Sequence, residues 1–415
     1  MSLATLVFVS HSAELNGAEL MLFELIKHLD SRKFQKVLVV PRHGRFFHRA
    51  VELGIQTRVI PQKWWVTSSA QQWRQPLNWA LNLAGLIQLA SFLKSKSPRV
   101  VISNSSVALG GALAARLNKL PHIWIVHELL DHPQAVVKFI GGNKLLASII
   151  GHCSNLLVAN SRVTARPFQP FYPVEIIYNG VDLGEVQKKI YRLMAIENQP
   201  EGSLDQGVGL KESNFLLTRK IVKSRIRQQW PLTCEDQLLG VVGKFKREKG
   251  QDMALRALAI LKDVFPKLKL IFIGDPSEAK YFRLIKNLVT QLGVGKRVLF
   301  QGYIDELYSF LPALDILVVP SRQESFGRVV VEAMAVGVPV VAFNQGGIPE
   351  IIEDGRNGFL AQAFSPRSLA EKVALILNNP EYEQKFSFQG YQTVKSRFDL
   401  SDQVRNFERI LERWL

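Results

Sequence analysis

The chain has 415 residues, enough for two or three domains, and 47% of them are hydrophobic, which excludes a disordered chain. Its only cysteines are Cys153 and Cys234, which excludes a disulfide framework and a cysteine-rich metal site and suits a reducing compartment. The net charge of +16 is uneven: residues 1–182 carry 19 Lys and Arg against 9 Asp and Glu, residues 183–230 carry 9 against 5, and the remainder is nearly balanced; an anionic partner is therefore expected for the front half.

The first residues, MSLATLVFVSHS, have no basic segment followed by a long apolar run and read as a strand rather than a signal peptide. No window of about 18 residues is free of polar groups, so no membrane span is expected. TLVFVSH (5–11) is a buried strand, AELMLFELIKHL (18–29) has helical spacing, and KVLVVP (36–41) is again a strand. VVISNS (100–105), HIWIVHE (122–128) and NLLVANS (155–161) continue the series, with the small-residue helix ALGGALAARL after the first of them. IYNGVD (177–182) closes this half with a turn. Residues 183–230 are polar and basic and read as a linker with an inserted helix. The alternation then restarts: QLLGVVGKF (237–245), KLIFIGD (269–275), RVLFQGY (297–303), DILVVPS (315–321) and VPVVAF (338–343) are strands, with MALRALAILKDVF, YFRLIKNLVTQLG, ELYSFLPAL and VVVEAMAV as helices between them. The fold class is α/β, two doubly wound Rossmann-like domains. The expected boundaries are 1–182, a linker 183–230, a second domain 231–390 and helices over 391–415 that cross back to the first.

Two glutamates, Glu324 and Glu332, stand in SRQESFGRVVVEAMAVGVPVV (321–341). Open α/β sheets bind ligands beyond the carboxyl ends of their strands, which places the RQES loop at the rim. A helix beginning near Phe326 would aim free N–H groups of residues 326–329 at an anion, and Gly327 would let it approach the backbone. Glu324 sits at the lip, and Glu332 lies about one and a half turns further in, at about 1.5 Å rise per residue. A ligand with an anionic middle and hydroxylated parts on both sides, such as a nucleotide-sugar, satisfies that arrangement, because carboxylates accept well from vicinal hydroxyls.

PSRQESFGRVVVEAMAVGVPVVAFNQGGIPEII resembles the signature of retaining glycosyltransferases of family four, which have the GT-B fold, two domains facing across a cleft. NGAE (16–19), IYNGVD, VGKFKREKG (242–250) and GGIPEIIEDGRNGFL resemble further segments of that family, so the likeness covers nearly the full length. It implies that Glu324 grips the donor sugar, Glu332 the ribose, and the pair Lys244 and Lys249 the diphosphate. Two cations and a helix N-terminus can carry phosphate departure without a metal or cofactor. Lys244 stands where the family usually has Arg, and Asn16 where it usually has Gly. The likeness further implies donor contacts from Gly17, Gly243, Gly274, Tyr303, Ile304, Ser325, Phe326, Gly327, Arg328 and Val329, and makes His127 the histidine beside the anomeric carbon. Asn104, Asn160, Ser161 and Arg162 are candidates for the acceptor side, with His11 as a neighbouring strand-end histidine. Trp64, Trp65, Trp73 and Trp79, with Lys63 and Arg74, suit a membrane interface, or else a packed aromatic core.

The expected function is metal-independent, retaining transfer of a hexose, glucose as first choice, from a UDP-sugar to a lipid-linked or polysaccharide acceptor. The expected place is the cytoplasm, peripheral at the inner face of the cell membrane. Two other readings use the same features: a non-hydrolysing nucleotide-sugar epimerase, and a non-catalytic nucleotide-sugar or nucleic-acid binding module. The missing nucleic-acid motif and the balanced back half argue against a nucleic-acid partner.

Overall fold

The computed structural model describes residues 3–67, 73–133, 135–194, 212–233 and 235–415. Cys234 and the GSLDQGVG centre of the expected linker lie outside the described residues. The chain divides into two compact units, Met1–Gly180 with Leu400–Leu415, and Val181–Asp399.

The first unit runs β1 (Ala4–Ser10), α1 (Gly17–His28), β2 (Phe34–Val40), α2 (Arg45–Glu52), β3 (Gln56–Val59), α3 (Gln75–Lys96), β4 (Val100–Asn104), α4 (Leu109–Leu117), β5 (His122–Val126), α5 (Asn143–His152), β6 (Leu156–Ala159), α6 (Arg162–Ala165) and β7 (Val174–Ile176). The seven strands form one sheet in the order β3-β2-β1-β4-β5-β6-β7, and the pairings printed for it are all parallel. Strands buried on both faces read as continuous apolar runs, which is why Leu6, Val7, Phe8 and Val9 are all fully buried. The strand order reverses between β1 and β4, so the crevice that such sheets offer to ligands lies at the ends of these two strands.

The second unit opens with α7 (Leu183–Met194) and α8 (Glu212–Gln228). The basic stretch read as a linker is thus helical over these residues. α8 buries Phe215, Val222 and Ile226, and three of its cations are paired within the unit. Arg219 and Lys223 pair with Glu383 at 2.8 and 3.3 Å, and Lys223 and Arg227 each reach Asp315 at 2.5 Å. Next come β8 (Gln237–Val242), α9 (Gln251–Leu261), β9 (Leu268–Ile273), α10 (Ala279–Gln291), β10 (Val298–Gln301), β11 (Ile316–Val319), α11 (Arg328–Ala335), β12 (Val340–Phe343), β13 (Phe359–Ala361), α12 (Pro366–Asn378) and α13 (Pro380–Arg397). The parallel sheet has the order β10-β9-β8-β11-β12-β13, reversing between β8 and β11. The segment ELYSFLPAL, expected as a helix, forms only two short 3-10 turns, Leu307–Ser309 and Leu311–Ala313. Pro312 has no N–H to extend a helical ladder.

The last helix, α14 (Leu400–Glu412), returns to the first unit, so the crossing-back segment begins at Leu400 and not at residue 391. It buries Val404, Phe407, Ile410 and Leu411 in the same cluster as Phe8, Ile26 and Leu38. No helix among the described residues is long and apolar enough to cross a membrane.

Candidate active site

At the switch point of the first unit, strand ends bring polar side chains into a largely apolar surrounding. His127 lies one residue past β5; its Nε2 is 2.8 Å from Asn104 Oδ1 at the end of β4, and its Nδ1 is 3.4 Å from Asn160 Nδ2 just after β6. With the amide of Asn104 accepting and that of Asn160 donating, His127 is a neutral imidazole protonated on Nε2. Burial favours the same state: it lowers the His127 pKa to about 4, outweighing the opposing pull of Glu128. Glu128 accepts from the Ser105 hydroxyl, from the Ser106 N–H at 3.0 Å and from the His127 N–H at 3.2 Å. Burial alone would raise its pKa, but His127 and these donors hold it below the ordinary carboxylate value.

His11, just past β1, joins the same network. Its Nδ1 lies 3.1 Å from the buried carboxylate of Glu19 and 3.3 Å from the Asn104 carbonyl oxygen. Burial raises the Glu19 pKa despite the nearby His11. Sequence reasoning used His11 only as a strand-end alternative and gave Glu19 and Glu128 no role. The available signal was the acid in NGAE, one turn into a helix that faces the switch point. His11 also lines an open cavity of about 460 Å³ with Arg42, Gln62, Lys63, Trp64 and Asn82. The half-exposed Trp64 ring lies 5.5 Å from the His11 ring. Asn104 and Asn160 are therefore brought to His127, not to this cavity. Ser161 is fully buried, and its hydroxyl accepts from the Thr164 N–H at 3.1 Å as the cap of α6, while Arg162 is exposed on that short helix. Gly17 opens α1, and a Cβ there would meet nothing within 4 Å.

In the second unit the loops after β8 and β11 meet. Lys249 Nζ lies 2.7 Å from Glu324 Oε2, with the Ser321 hydroxyl 3.4 Å from the same oxygen. Burial opposes charge on Lys249, yet Glu324 outweighs this and raises its pKa above the ordinary lysine value. The backbone of Glu324 is fixed as well: its carbonyl accepts from the Gly347 N–H at 2.9 Å. Gly346 has φ +60° and leaves no room for a Cβ, which would sit 1.9 Å from that carbonyl oxygen. The two glycines of NQGGIPE thus shape this loop. At the neighbouring strand ends Gly274 has φ +152°, and a Cβ on it would lie 2.1 Å from the Gly243 carbonyl oxygen. The strand ends can touch only as glycine backbone.

α11 begins at Arg328, two residues later than expected, because its N-cap Gly327 has φ +107°. Glu332 is 7% exposed and pairs with Arg328 one turn earlier at 2.8 Å. Burial raises its pKa, partly offset by Arg328. Phe326 is buried against Phe398, so only its backbone can serve a ligand. Ser325 and Val329 are half-buried at the start of α11. Lys244 is exposed, and its carbonyl accepts from the Gln251 side chain at 3.0 Å. Tyr303 is exposed and Ile304 half-buried beyond β10, next to a half-exposed Phe300. Removing the Glu332 carboxylate tests its use directly. Glu332→Ala is expected to weaken UDP binding by about 1.5–3 kcal/mol, the usual worth of a hydrogen bond to a charged group, measured by calorimetry. Unchanged affinity would end the ribose assignment.

Comparison with known proteins bears on these loops. The profile of Glycosyl transferases group 1 matches residues 222–393, and that of Glycosyltransferase Family 4 matches residues 15–185. The chain is 29% identical over 201 residues to N-acetyl-alpha-D-glucosaminyl L-malate synthase of Bacillus anthracis, covering 48% of this chain and 51% of that protein. It is 30% identical over 279 residues to D-inositol 3-phosphate glycosyltransferase 1 of Catenulispora acidiphila, covering 65% of this chain and 61% of that protein. The chain spans about half the length of the curated relatives it matches. In structure it is similar to HepE of Anabaena in complex with UDP-glucose, with a TM-score of 0.76 and 22% identity over 99% of this chain and 100% of that one. That likeness bears on the fold, which is GT-B. The two profiles lie side by side and together span most of the sequence: residues 15–185 match Glycosyltransferase Family 4 and residues 222–393 match Glycosyl transferases group 1.

Proposed function

We propose that this chain transfers a hexose, glucose as first choice, from a UDP-sugar to a hydroxyl acceptor, with retention and without a metal ion. The observation that carries the reading is the Lys249–Glu324 pair at 2.7 Å, set before α11 with Glu332 buried one turn into that helix. Each charge holds the other in place. An arriving donor exchanges the pair for its own groups: the diphosphate takes Lys249 and the N–H groups of α11, the sugar hydroxyls take Glu324, and the ribose takes Glu332. Neutral His127 can orient a sugar hydroxyl and stabilise positive charge on the opening ring without adding a competing cation. The anomeric carbon–phosphate oxygen bond breaks, the acceptor oxygen bonds on the same face, and the acceptor proton leaves on the departing diphosphate. The UDP-glucose bound by HepE supports the choice of donor. Incubation with a panel of nucleotide-sugars, with and without EDTA, tests the reading: UDP-sugars should be turned over in the presence of chelator. Loss of all activity with EDTA, restored by magnesium or manganese, would overturn the metal-independent step. An epimerised nucleotide-sugar as the product, with no sugar transferred, would mean the epimerase reading.

The cavity lined by His11, Lys63, Trp64 and Arg42 suits the acceptor, with an aromatic face for a sugar ring beside cations for a phosphate. The neighbouring helix α3 supports a lipid-linked acceptor on an anionic membrane. It buries Gly85, Leu89 and Leu93 but exposes Leu77, Leu83 and Ile87, at 58%, 59% and 62%, with Trp73 at 70% just before it. Single exposed apolar residues are ordinary, but a run of them along three turns flanked by Arg74, Lys94 and Lys96 matches a membrane interface. Trp65, by contrast, is 3% exposed and belongs to the core. The full chain is expected to sediment with anionic vesicles at low salt, at about 1 kcal/mol per docked basic residue, and to be released as salt rises. Leu83→Ser with Ile87→Ser should reduce that binding. Absence of sedimentation at low salt would return the front-half charge to the acceptor cavity.

A further inference from the structure

Four cations, none of them among the residues assigned to the donor, converge on one hollow of the second unit. Arg247 in the turn before α9, Arg256 on α9, and Lys280 and Arg283 on α10 line an open concavity of about 650 Å³ between the two helices. All four are exposed, and none pairs with a carboxylate among the described residues. The one carboxylate in the lining is Asp252, and it is already satisfied: Arg322 donates to both of its oxygens at 2.8 and 2.6 Å, and the Tyr281 hydroxyl donates at 2.7 Å. Asn287 and Gln291 add amide groups along the same face of α10. Like charges at spacing i, i+3, as Lys280 and Arg283 are, destabilise a helix, and cations gathered without counter-charge repel one another. Outside α8 the second unit is nearly neutral in sequence, so the cluster is a local concentration and not a share of a general excess.

We propose that this concavity is a second anion site, for a multivalent oxyanion of the phosphate-ester class, distinct from the Lys249–Glu324 pair. Arginine suits such a ligand because its planar fork donates two parallel hydrogen bonds to adjacent oxygens. The site also reaches the donor loops through bonded atoms. Arg322 donates to the Arg247 carbonyl at 2.9 Å, and its N–H donates to the Glu248 carbonyl at 2.7 Å. Those residues share a turn with Lys249, and Arg322 lies two positions from Glu324. An anion drawn in by Arg247 therefore acts on the turn that holds the Lys249–Glu324 pair.

Calorimetric titration of the full chain with inorganic tripolyphosphate tests the site against an Arg256→Glu, Arg283→Glu variant. Neither residue belongs to the donor loops, so the variant should keep the UDP affinity of the unaltered chain, which also confirms that it folds. Donor loops that hold polyphosphate contribute equally in both proteins. The expected result is a binding component of the unaltered chain that is weakened at least tenfold or lost in the variant. Vesicles containing phosphatidic acid then identify the source of the phosphate. Sedimentation reduced in the variant assigns a lipid headgroup, and unchanged sedimentation with lost tripolyphosphate binding assigns a soluble ligand. Superimposable isotherms, with UDP binding intact in both proteins, would overturn the proposal and leave the donor reading untouched.

Discussion

His127→Ala is expected to leave UDP affinity within about twofold while lowering transfer by about a hundredfold or more, the scale seen when one preorganised polar group at a reacting centre is lost. The nucleotide is assigned to the loops after β8 and β11 of the second unit, whereas His127 belongs to the first. The imidazole is fixed by Asn104 and Asn160 at 2.8 and 3.4 Å and is neutral because burial depresses its pKa to about 4. A group so fixed acts in the transition state more than in ground-state binding, so the loss should fall on kcat. Asn104→Ala should give a smaller loss of the same kind, since it frees the ring without removing it. Transfer within about twofold of the unaltered chain, only some 0.4 kcal/mol in barrier, would make His127 structural and turn the search to His11 and Glu19.

Lys249→Ala should be the most damaging change in the second unit, lowering transfer about a hundredfold to a thousandfold, as loss of a charge-stabilising group at a leaving phosphate does. Two effects add. The diphosphate loses its cation, and Glu324, 13% exposed, is left as an unpaired carboxylate where the anionic donor must bind. Lys249→Arg keeps the charge and should recover part of the loss. Lys246→Ala is the control from the same loop. Lys246 makes a long 3.6 Å contact with Glu248, and its removal should cost less than about threefold, in keeping with the small worth of surface pairs. Equal losses in the two variants would mean that the loop contributes general positive potential and not a placed cation.

The strands were legible because parallel strands covered on both faces must be apolar throughout, and VVIS (100–103) and ILVV (316–319) cannot be solvated. Glu332 was legible for the complementary reason, as an acid within a run of buried valines and alanines. The inserted helix was expected, but the packing of α8 was not, because LTRKIVKSRIR buries two of its arginines, Arg219 and Arg227. Its arginines looked solvated, and only the fold brings Glu383 and Asp315 to them from more than 80 positions away. Composition cannot distinguish a cation in water from one paired at such a distance. The His11–Glu19 contact escaped for a similar reason, since its two residues lie on different elements and meet only once α1 packs beside the end of β1. The expected start of α11 slipped by two residues because Gly327 was read for its lack of side chain and not for its positive φ.

The return of α14 to the first unit has a consequence for the order of events during synthesis. Domains generally form as the chain emerges, the earlier one first. Here the first unit lacks Phe407 and Leu411, both fully buried in its core, until every residue of the second unit has been made. Its sheet can pair early, but one face, including Phe8, Ile26 and Leu38, stays without its final cover. The second unit, contiguous from Val181 to Asp399, can complete its core before the first does. The earlier unit thus closes last, and until α14 docks its uncovered apolar face is exposed to association with other chains.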